Sequence, residues 1–265
     1  MKRQWHLLVS LIVLLSPFAR AADGFQQMKF NIDGVTRTAL AYVPANARTA
    51  GTPLVFVFHG HGGSAGQAER SFHIDREWPE AISVYMQGLN TPGQLTDPEG
   101  KETGWQAAVG DQGDRDLKFF DAVLARLKQD YKVDTKRIYC TGHSNGGGFT
   151  YLLWLARGDV FAAVAPSSAA ARYARQLKPK PALIIGGSED PLVKFEWQKL
   201  TMNAVRNING CSETGEPWAK DCAIYTSRNG TPLVTFIFEG GHQFNAVAPA
   251  LIVKFFKQHP GESGK

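Results

Sequence analysis

The chain has 265 residues and a formal charge of +5, set by 29 Lys and Arg against 24 Asp and Glu. Its composition is that of an ordinary globular protein, and its length favours one large domain or two small ones. Three basic residues and no acidic ones lie in a predicted export segment, residues 1–21. The remaining excess, 26 against 24, is too small to indicate a nucleic-acid partner.

Residues 1–21 have the features of a signal peptide. A basic start at Lys2 and Arg3 precedes a mostly apolar run over 7–15, and residues 19–21 (Ala-Arg-Ala) supply an A-x-A cleavage signal. The run is too short to span a bilayer, and no cysteine near the cleavage site could carry a lipid anchor. We expect a secreted or periplasmic protein with no stable membrane association after cleavage; an uncleaved membrane anchor is the alternative.

The first predicted strands lead to a glycine-rich loop. Residues 27–33 and 35–43 alternate around Asp33-Gly34, which predicts a β-hairpin, and the apolar run 53–58 is typical of a buried strand. The loop 59–64 follows, and its glycines would let backbone amides approach a ligand, as an oxyanion loop requires. Alternatively, His59 and His61 form half of a metal site, although no further ligands stand nearby at a matching spacing.

A long loop follows the strand predicted at 81–86. Residues 88–113 are rich in Gly, Asp and Pro and contain Trp105. Loops of this length in compact domains are usually functional or mobile. Trp105 either forms the floor of a substrate pocket or only fixes the loop to the core, and the sequence leaves both interpretations open.

The candidate nucleophile lies in the middle of the chain. Helical spacing of apolar residues predicts a helix over 114–131, and a strand is predicted over 137–141. The segment 142–146, Gly-His-Ser-Asn-Gly, then leads into a glycine-rich helix start. G-x-S-x-G between a strand and a helix holds a serine clear of the sheet. We therefore predict Ser144 as the nucleophile and the backbone N–H of Asn145 as an oxyanion donor.

Strands and helices alternate over the rest of the chain. The predicted elements are strands at 161–165 and 181–186, a helix at 195–207, a hairpin of 223–227 and 232–238, and a helix at 246–258. This order predicts an α/β fold with a mostly parallel central sheet and helices on both faces. No repeat, low-complexity tract or linker divides the chain, so we expect residues 22–265 to form a single domain.

A serine nucleophile needs an imidazole base and a carboxylate that orients it. Only His242 and His259 follow the helix that begins after Ser144, and His242 lies in a glycine-rich loop directly after a strand. Asp190 occupies a similar loop after another strand, which favours it over Asp159 and Asp221 and over Glu189, the second candidate. The expected order is therefore Ser144, Asp190 and His242, with a second oxyanion donor from the loop 59–63.

Three cysteines remain after removal of the export segment. In an exported protein, Cys211 and Cys222 form the natural disulfide pair, closing a short loop that contributes roughly 3 kcal/mol in the chain-entropy model. Cys140 lies in the strand before the nucleophile. There, a small buried hydrophobic residue is favoured over a catalytic thiol, which would need a base within reach.

Several motifs resemble those of one family. The matching segments are 53–64 with H-G-x-G-G, 116–120 with D-L-x-F-F, 133–147 with V-D-x-x-R-I-Y-x-T-G-x-S-N-G-G, 187–191 with G-x-x-D-P, and 240–242 with G-G-H. They resemble the secreted polyhydroxybutyrate depolymerase and feruloyl or acetylxylan esterase-like family of α/β-hydrolases, over about residues 40–258. The segment 133–147 is quite specific, whereas the others are weaker alone.

The resemblance implies carboxylester hydrolysis by Ser144, Asp190 and His242, and it makes the amide of His61 the second oxyanion donor. The chain departs from the family at two places that border the substrate. Residues 243–245 (Gln-Phe-Asn) stand where Trp and Pro are common, and His61 stands where Cys is frequent. Phe244 and Trp105 are therefore the candidate substrate contacts.

We expect an exported serine carboxylesterase that needs neither metal nor organic cofactor, with a small-molecule or polymer-linked ester as its partner. Feruloyl, other aryl or acetyl esters of plant polysaccharide are the first substrate hypothesis, and hydroxyalkanoate polyesters or oligomers are the alternative. A serine peptidase and a non-catalytic binding protein are the less favoured alternatives. Serine peptidases of this fold typically carry a large additional domain, and binding proteins on this fold tend to lose a member of the triad, whereas all three members are predicted here. No separate substrate-binding module is visible, which favours small or soluble esters over crystalline polymer.

Overall fold

The computed structural model describes residues 24–261, so the predicted signal peptide 1–21 lies outside the described residues. Within this range the strands are β1 Gly24–Ile32, β2 Val35–Val43, β3 Thr52–Phe58, β4 Ile82–Met86, β5 Leu89–Asn90, β6 Thr103–Gly104, β7 Val133–His143, β8 Ala163–Ser167, β9 Ala182–Gly187, β10 Glu216–Ala219, β11 Cys222–Tyr225 and β12 Leu233–Phe238. The α-helices are α1 Ala65–Phe72, α2 Ile74–Glu77, α3 Arg115–Asp130, α4 Asn145–Arg157, α5 Phe195–Ile208 and α6 Ala248–Gln258.

One large sheet organises the described residues. Its strand order is β1-β2-β4-β3-β7-β8-β9-β12-β11-β10. The six strands from β4 to β12 are parallel, whereas β1-β2 and β11-β10 add antiparallel pairs at the two edges. Every residue of β3 is buried, as its uninterrupted apolar sequence predicts for a strand covered on both faces. The α/β-hydrolase fold predicted from the sequence is confirmed.

Apolar cores lie on both faces of this sheet. On one face, side chains of α3, α4 and α5 such as Phe120, Leu153 and Met202 pack together. On the other face, α1, α2 and α6 contribute side chains such as Phe72 and Phe256. Because both faces are covered, the exposed parts of the sheet are its edges and strand ends, where loops can present polar groups.

Most predicted elements are confirmed. The first hairpin turns at Asp33 and Gly34, which both have positive φ, and the second pairs Tyr225 with Leu233. Helix α1 was not predicted, because it follows the glycine-rich loop directly and contains few large apolar residues. Its start is capped by Ser64, whose Oγ accepts a hydrogen bond from the Gln67 N–H at 3.2 Å.

The predicted Cys211–Cys222 disulfide is wrong: both thiols are free. Cys222 begins β11 opposite Phe236, whereas Cys211 bridges to Ser227, five residues farther along the chain. Five extended residues span about 16 Å, whereas a disulfide needs Cα atoms within about 7 Å. Cys140 is buried in β7, where burial raises the pKa of its thiol well above the ordinary value.

The parallel strands bring the predicted site residues to one edge. The loops after β3, β7, β9 and β12 carry His61, Ser144, Asp190 and His242, and all four strands end on the same side of the sheet. Among the helices of the described residues, none combines the length and hydropathy needed to cross a membrane.

Candidate active site

Ser144 occupies a strained turn between β7 and α4. Its φ of 56° and ψ of −120° are unfavourable for a residue with a side chain. The turn can close because its glycines have no Cβ: one on Gly142 would lie 2.4 Å from the Gly146 carbonyl oxygen, and one on Gly146 would lie 2.3 Å from that of Phe58. The Ser144 N–H donates to the Ser167 carbonyl at 2.9 Å, which fixes the turn against β8.

The structure brings His242 between Ser144 and Asp190. Its Nε2 lies 2.7 Å from Ser144 Oγ, and its Nδ1 lies 2.8 Å from Asp190 Oδ2. The acid and base loops touch closely, since a Cβ on Gly187 would lie 2.3 Å from the Gly241 carbonyl oxygen. With its Nδ1–H on the carboxylate, the imidazole presents Nε2 to the serine hydroxyl as a proton acceptor.

Asp190 is held by more than the imidazole. Its side chain is fully buried, and its Oδ1 accepts from the N–H groups of Leu192 at 2.9 Å and Val193 at 3.0 Å. Gln198 of α5 donates its Nε2–H to Oδ2 at 3.0 Å. These donors compensate the burial of a negative charge and fix the carboxylate. The alternative base, His259, instead bonds the Phe255 carbonyl at 2.8 Å on α6.

His143, the residue before Ser144, supports the loop that carries His242, a role that sequence reasoning missed. Its Nε2 lies 3.0 Å from the His242 carbonyl oxygen, and its Nδ1 lies 3.3 Å from Ser167 Oγ. Burial, and secondarily the neighbouring His242, lower the pKa of His143 to about 4. The ring is therefore neutral near pH 7, with Nε2–H donating to the carbonyl. The one indication of this role in the sequence is that His143 directly precedes Ser144.

The glycine-rich loop after β3 runs past Ser144. The Gly60 carbonyl oxygen accepts from the Gly63 N–H at 3.0 Å and from His59 Nδ1 at 2.7 Å. His59 Nε2 accepts from the Gly88 N–H at 2.9 Å, so Nδ1 carries the proton. In a trans peptide, the Gly60 C=O and the His61 N–H point in opposite directions. A Cβ on Gly60 would lie 3.5 Å from Ser144 Cβ, so this peptide runs past the nucleophile.

The side chains of His59 and His61 diverge, which does not fit the half metal site that the sequence left open. The His59 ring is buried among backbone groups, and burial lowers its pKa. His61 Nε2 instead pairs with Asp97 Oδ2 at 3.0 Å. The N–H groups of Lys101 and Glu102 lower the pKa of Asp97 to about 2, so it is ionised across the neutral range. This pair connects the glycine-rich loop after β3 to the loop after β5.

The prediction that Trp105 contacts substrate is wrong. Its side chain is only 1% exposed and stacks on Phe149, with ring centroids 5.1 Å apart. The indole Nε1–H donates to the His59 carbonyl at 2.9 Å, and the Trp105 N–H donates to Asn145 Oδ1 at 2.7 Å. Trp105 thus connects the glycine-rich loop to the turn that carries Ser144. This is the alternative that the sequence left open, in which Trp105 fixes its loop to the core.

An open cleft of about 1600 Å³ lies over Ser144 and His242. Phe244, the residue predicted to contact substrate, lines this cleft. Its ring packs on Phe72 at 4.0 Å between centroids and meets the ring of His143 edge-on at 5.7 Å. An apolar aromatic wall therefore stands next to the base, where it could contact either part of a bound substrate.

Comparison with known proteins agrees with the fold. The Prolyl oligopeptidase family matches residues 99–176, which include the Ser144 turn. The chain is 27% identical to a protein described as probable feruloyl esterase C of Aspergillus oryzae, over 77% of each chain. It is 29% identical to feruloyl esterase C of Emericella nidulans, over 71% of this chain and 69% of that one.

A solved structure supports the same fold at lower identity. An acetyl xylan esterase from Aspergillus awamori superposes with a TM-score of 0.66 and 12% identity, covering 88% of this chain and 99% of that one. At this identity the likeness shows the fold alone.

Proposed function

We propose that the chain, which is similar to proteins named feruloyl esterase and acetylxylan esterase, is a serine carboxylic ester hydrolase. The observation that carries the proposal is the connected series of contacts from Ser144 Oγ through His242 to Asp190, at 2.7 and 2.8 Å. That series matches the requirement of an activated hydroxyl nucleophile: a base within hydrogen-bond reach and a carboxylate that orients the base.

In the proposed reaction, Ser144 Oγ attacks the ester carbonyl carbon while His242 Nε2 accepts the hydroxyl proton. Asp190 stabilises the imidazolium that results. The tetrahedral intermediate places its oxyanion between the N–H groups of His61 and Asn145, and each such donor contributes about 10²–10³ in rate. His242 then donates its proton to the departing alcohol, leaving an acyl group on Ser144.

Hydrolysis of this acyl-enzyme repeats the same steps with water. His242 accepts a proton from water, whose oxygen attacks the acyl carbon, and a second oxyanion forms in the same place. When the intermediate collapses, Ser144 Oγ recovers its proton from the imidazolium and the carboxylic acid is released. Each proton moves through Nε2, so the neutral ring and the fixed Nδ1–H of His242 are restored after every cycle.

The proposed substrates are feruloyl, other aryl or acetyl esters carried by plant polysaccharide. Relatives named feruloyl esterase and acetylxylan esterase support this class. The apolar wall of Phe244 beside the base suits an aromatic or other apolar group.

We also propose that residues 22–265 form one catalytic domain that is exported after removal of 1–21. N-terminal sequencing of protein recovered outside the cytoplasm would test this proposal.

Peptide hydrolysis is the second candidate, because the family that matches residues 99–176 is described as the prolyl oligopeptidase family. The same triad could attack an amide, and the leaving amine would then receive its proton from His242. A peptide anilide among the test substrates distinguishes this reaction from ester cleavage.

The test is a substrate panel on the purified protein, its Ser144→Ala variant and a control, Ser212→Ala, which changes a serine outside the cleft. The panel contains p-nitrophenyl acetate and butyrate, methyl ferulate, acetylated xylan, hydroxybutyrate oligomers and a peptide anilide. Esters should be cleaved, with a loss of about 10⁴-fold or more in kcat for Ser144→Ala alone. Absence of ester cleavage by the unmodified protein, or its persistence in Ser144→Ala, would overturn the proposal.

A further inference from the structure

The cleft does not end at the catalytic centre but continues along α5. Trp197, Leu200, Asn203 and Asn207 of this helix line it together with Ser144. Their spacing of three or four residues places them on one face of the helix, which therefore forms a continuous wall. At 1.5 Å per residue, the wall from 197 to 207 is about 15 Å long.

The segment after β8 forms the second wall. Tyr173 and Arg175 lie in it and line the same cleft. The segment is fastened to α5, because the Ala171 N–H donates to Thr201 Oγ1 at 3.0 Å. We call the space between Trp197, Leu200, Asn203, Asn207, Tyr173 and Arg175 the outer groove.

The size of the cleft exceeds what a monomeric ester fills. Sites for small molecules typically have volumes of about 300–1000 Å³, whereas this cleft has about 1600 Å³. A feruloyl or acetyl group bound against Phe244 would therefore leave the outer groove empty. A groove of this length is suited to a chain that extends away from the ester.

The side chains of the outer groove favour a saccharide over an apolar chain. Trp197 is 41% exposed, and Lys194 Nζ lies over its ring at 5.7 Å from the centroid, so a sugar would stack its C–H face on the opposite face of the ring. The amides of Asn203 and Asn207 and the guanidinium of Arg175 can bond hydroxyl groups. In the described part of the chain no carboxylate lines the cleft, and Arg175 has no acidic partner that would occupy its donors. A polyester or lipid chain would leave these polar groups unpaired.

We propose that the outer groove binds the saccharide chain of a polymer-linked ester, with Trp197 as the stacking platform. This inference rests on the proposed function, since the chain must carry the ester that Ser144 attacks. Because binding in the groove holds the ester over Ser144, the enzyme should prefer oligosaccharide-linked esters to alkyl esters of the same acid. We expect the preference to lie mainly in KM, because the groove contacts the saccharide equally in the bound ground state and in the transition state.

Two esters with the same acyl group test the proposal: methyl ferulate and a feruloylated arabinoxylan oligosaccharide. We expect Trp197→Ala to lower kcat/KM for the oligosaccharide ester about tenfold and to change methyl ferulate less than twofold. Trp197→Phe, which keeps an aromatic face, should restore most of the loss. The control is Trp218→Ala, since Trp218 on β10 packs against Lys254 outside the cleft and should affect neither ester. p-Nitrophenyl acetate and acetylated xylotriose provide the same comparison for acetyl esters.

Equal loss on both esters in Trp197→Ala, or no preference of the unmodified enzyme for the oligosaccharide ester, would overturn the proposal. A binding measurement separates its failure from failure of the proposed reaction. Arabinoxylan oligosaccharide without an ester is titrated against Ser144→Ala protein and against Ser144→Ala/Trp197→Ala protein by calorimetry. Binding by the first protein that weakens in the second supports the groove even if no ester is cleaved. Binding of a hydroxybutyrate trimer in its place would show that the groove takes a polyester, against the proposal.

Discussion

The catalytic centre and the outer groove share one cleft but are built differently. Around Ser144, backbone groups and buried side chains fix each functional atom: Asp190 alone accepts from His242, Gln198 and two backbone amides. In the outer groove, Leu200 is 68% exposed and Trp197 is 41% exposed. The contacts around Ser144 hold each side chain in one conformation, whereas the exposed side chains of the outer groove can adopt other rotamers.

The difference fits the functions that we propose for the two regions. A reacting atom has to be placed within a fraction of an ångström, so the strained Ser144 turn requires surroundings that over-determine it. Stacking on a chain of sugars tolerates small displacements, and a few exposed side chains suffice. Substitutions in the catalytic centre should therefore remove activity on every substrate, whereas those in the outer groove should change only the choice among substrates.

The largest expected effect is that of Asp190→Asn. An amide at this position can still accept from Leu192 and Val193, but its N–H faces His242 Nδ1 and favours the wrong tautomer. We expect kcat for p-nitrophenyl acetate to fall about 10⁴-fold while the fold persists. Circular dichroism and steady-state kinetics check both points, with Asp159→Asn as the control. Retention of activity within tenfold would show that the acid is a different residue.

A smaller effect is expected where the catalytic centre depends on the loop after β5. Asp97 holds His61, whose N–H is a proposed oxyanion donor, so Asp97→Ala should lower kcat about 10- to 100-fold and leave KM nearly unchanged. Asp97→Asn retains an acceptor for the His61 ring and should recover part of the loss. Glu99→Ala is the matched control, because Glu99 pairs with Lys101 on the same loop.

A boronic acid inhibitor that forms a tetrahedral adduct with Ser144 provides an independent measurement for this loop. Its affinity should fall in parallel with kcat, because both depend on the oxyanion donors. A higher KM in Asp97→Ala with unchanged inhibitor affinity would instead make the loop a ground-state binding element.

The third effect concerns stability at acid pH. Burial holds the pKa of His143 at about 4 in the folded protein, below its ordinary value of 6.5, so the unfolded chain binds the proton more strongly. The contribution of the neutral His143 ring to the free energy of unfolding is therefore fully present above about pH 6.5 and is lost as the pH falls toward 4. Between pH 7 and pH 5 the loss is about 2 kcal/mol.

His143→Gln should remove this part of the acid sensitivity, since an uncharged amide can still donate to the His242 carbonyl. Urea unfolding at pH 5, 6 and 7 gives the difference from the unmodified protein. Ser212→Ala, which changes a side chain that does not titrate and lies outside the cleft, is the control and should decline like the unmodified protein. A parallel decline in His143→Gln and the unmodified protein would show that His143 is not the group responsible.

The same contrast explains what could be predicted from the sequence. The strand–turn–helix around Ser144 and the two strand-end loops with Asp190 and His242 are local patterns, so chain order alone predicts the site that the structure brings together. The roles of Trp105, Asp97 and Gln198 depend on which distant segments meet. The disulfide prediction failed for a similar reason. Spacing in sequence did not reveal that Cys222 begins β11, whereas Cys211 pairs with Ser227 beyond the other end of that strand.

The smallest expected effect lies in the outer groove. Leu200→Ala shortens a side chain that is 68% exposed, so the free energy of unfolding should change by less than about 0.5 kcal/mol, and kcat for p-nitrophenyl acetate should stay the same. The same substitution at Leu183, which is fully buried in β9, should lower that free energy by about 2–5 kcal/mol. Denaturant unfolding of both variants measures the contrast directly. A loss above 1 kcal/mol in Leu200→Ala would mean that the groove wall is a packed part of the fold. Substitutions that change the choice of substrate would then also change the stability of the protein.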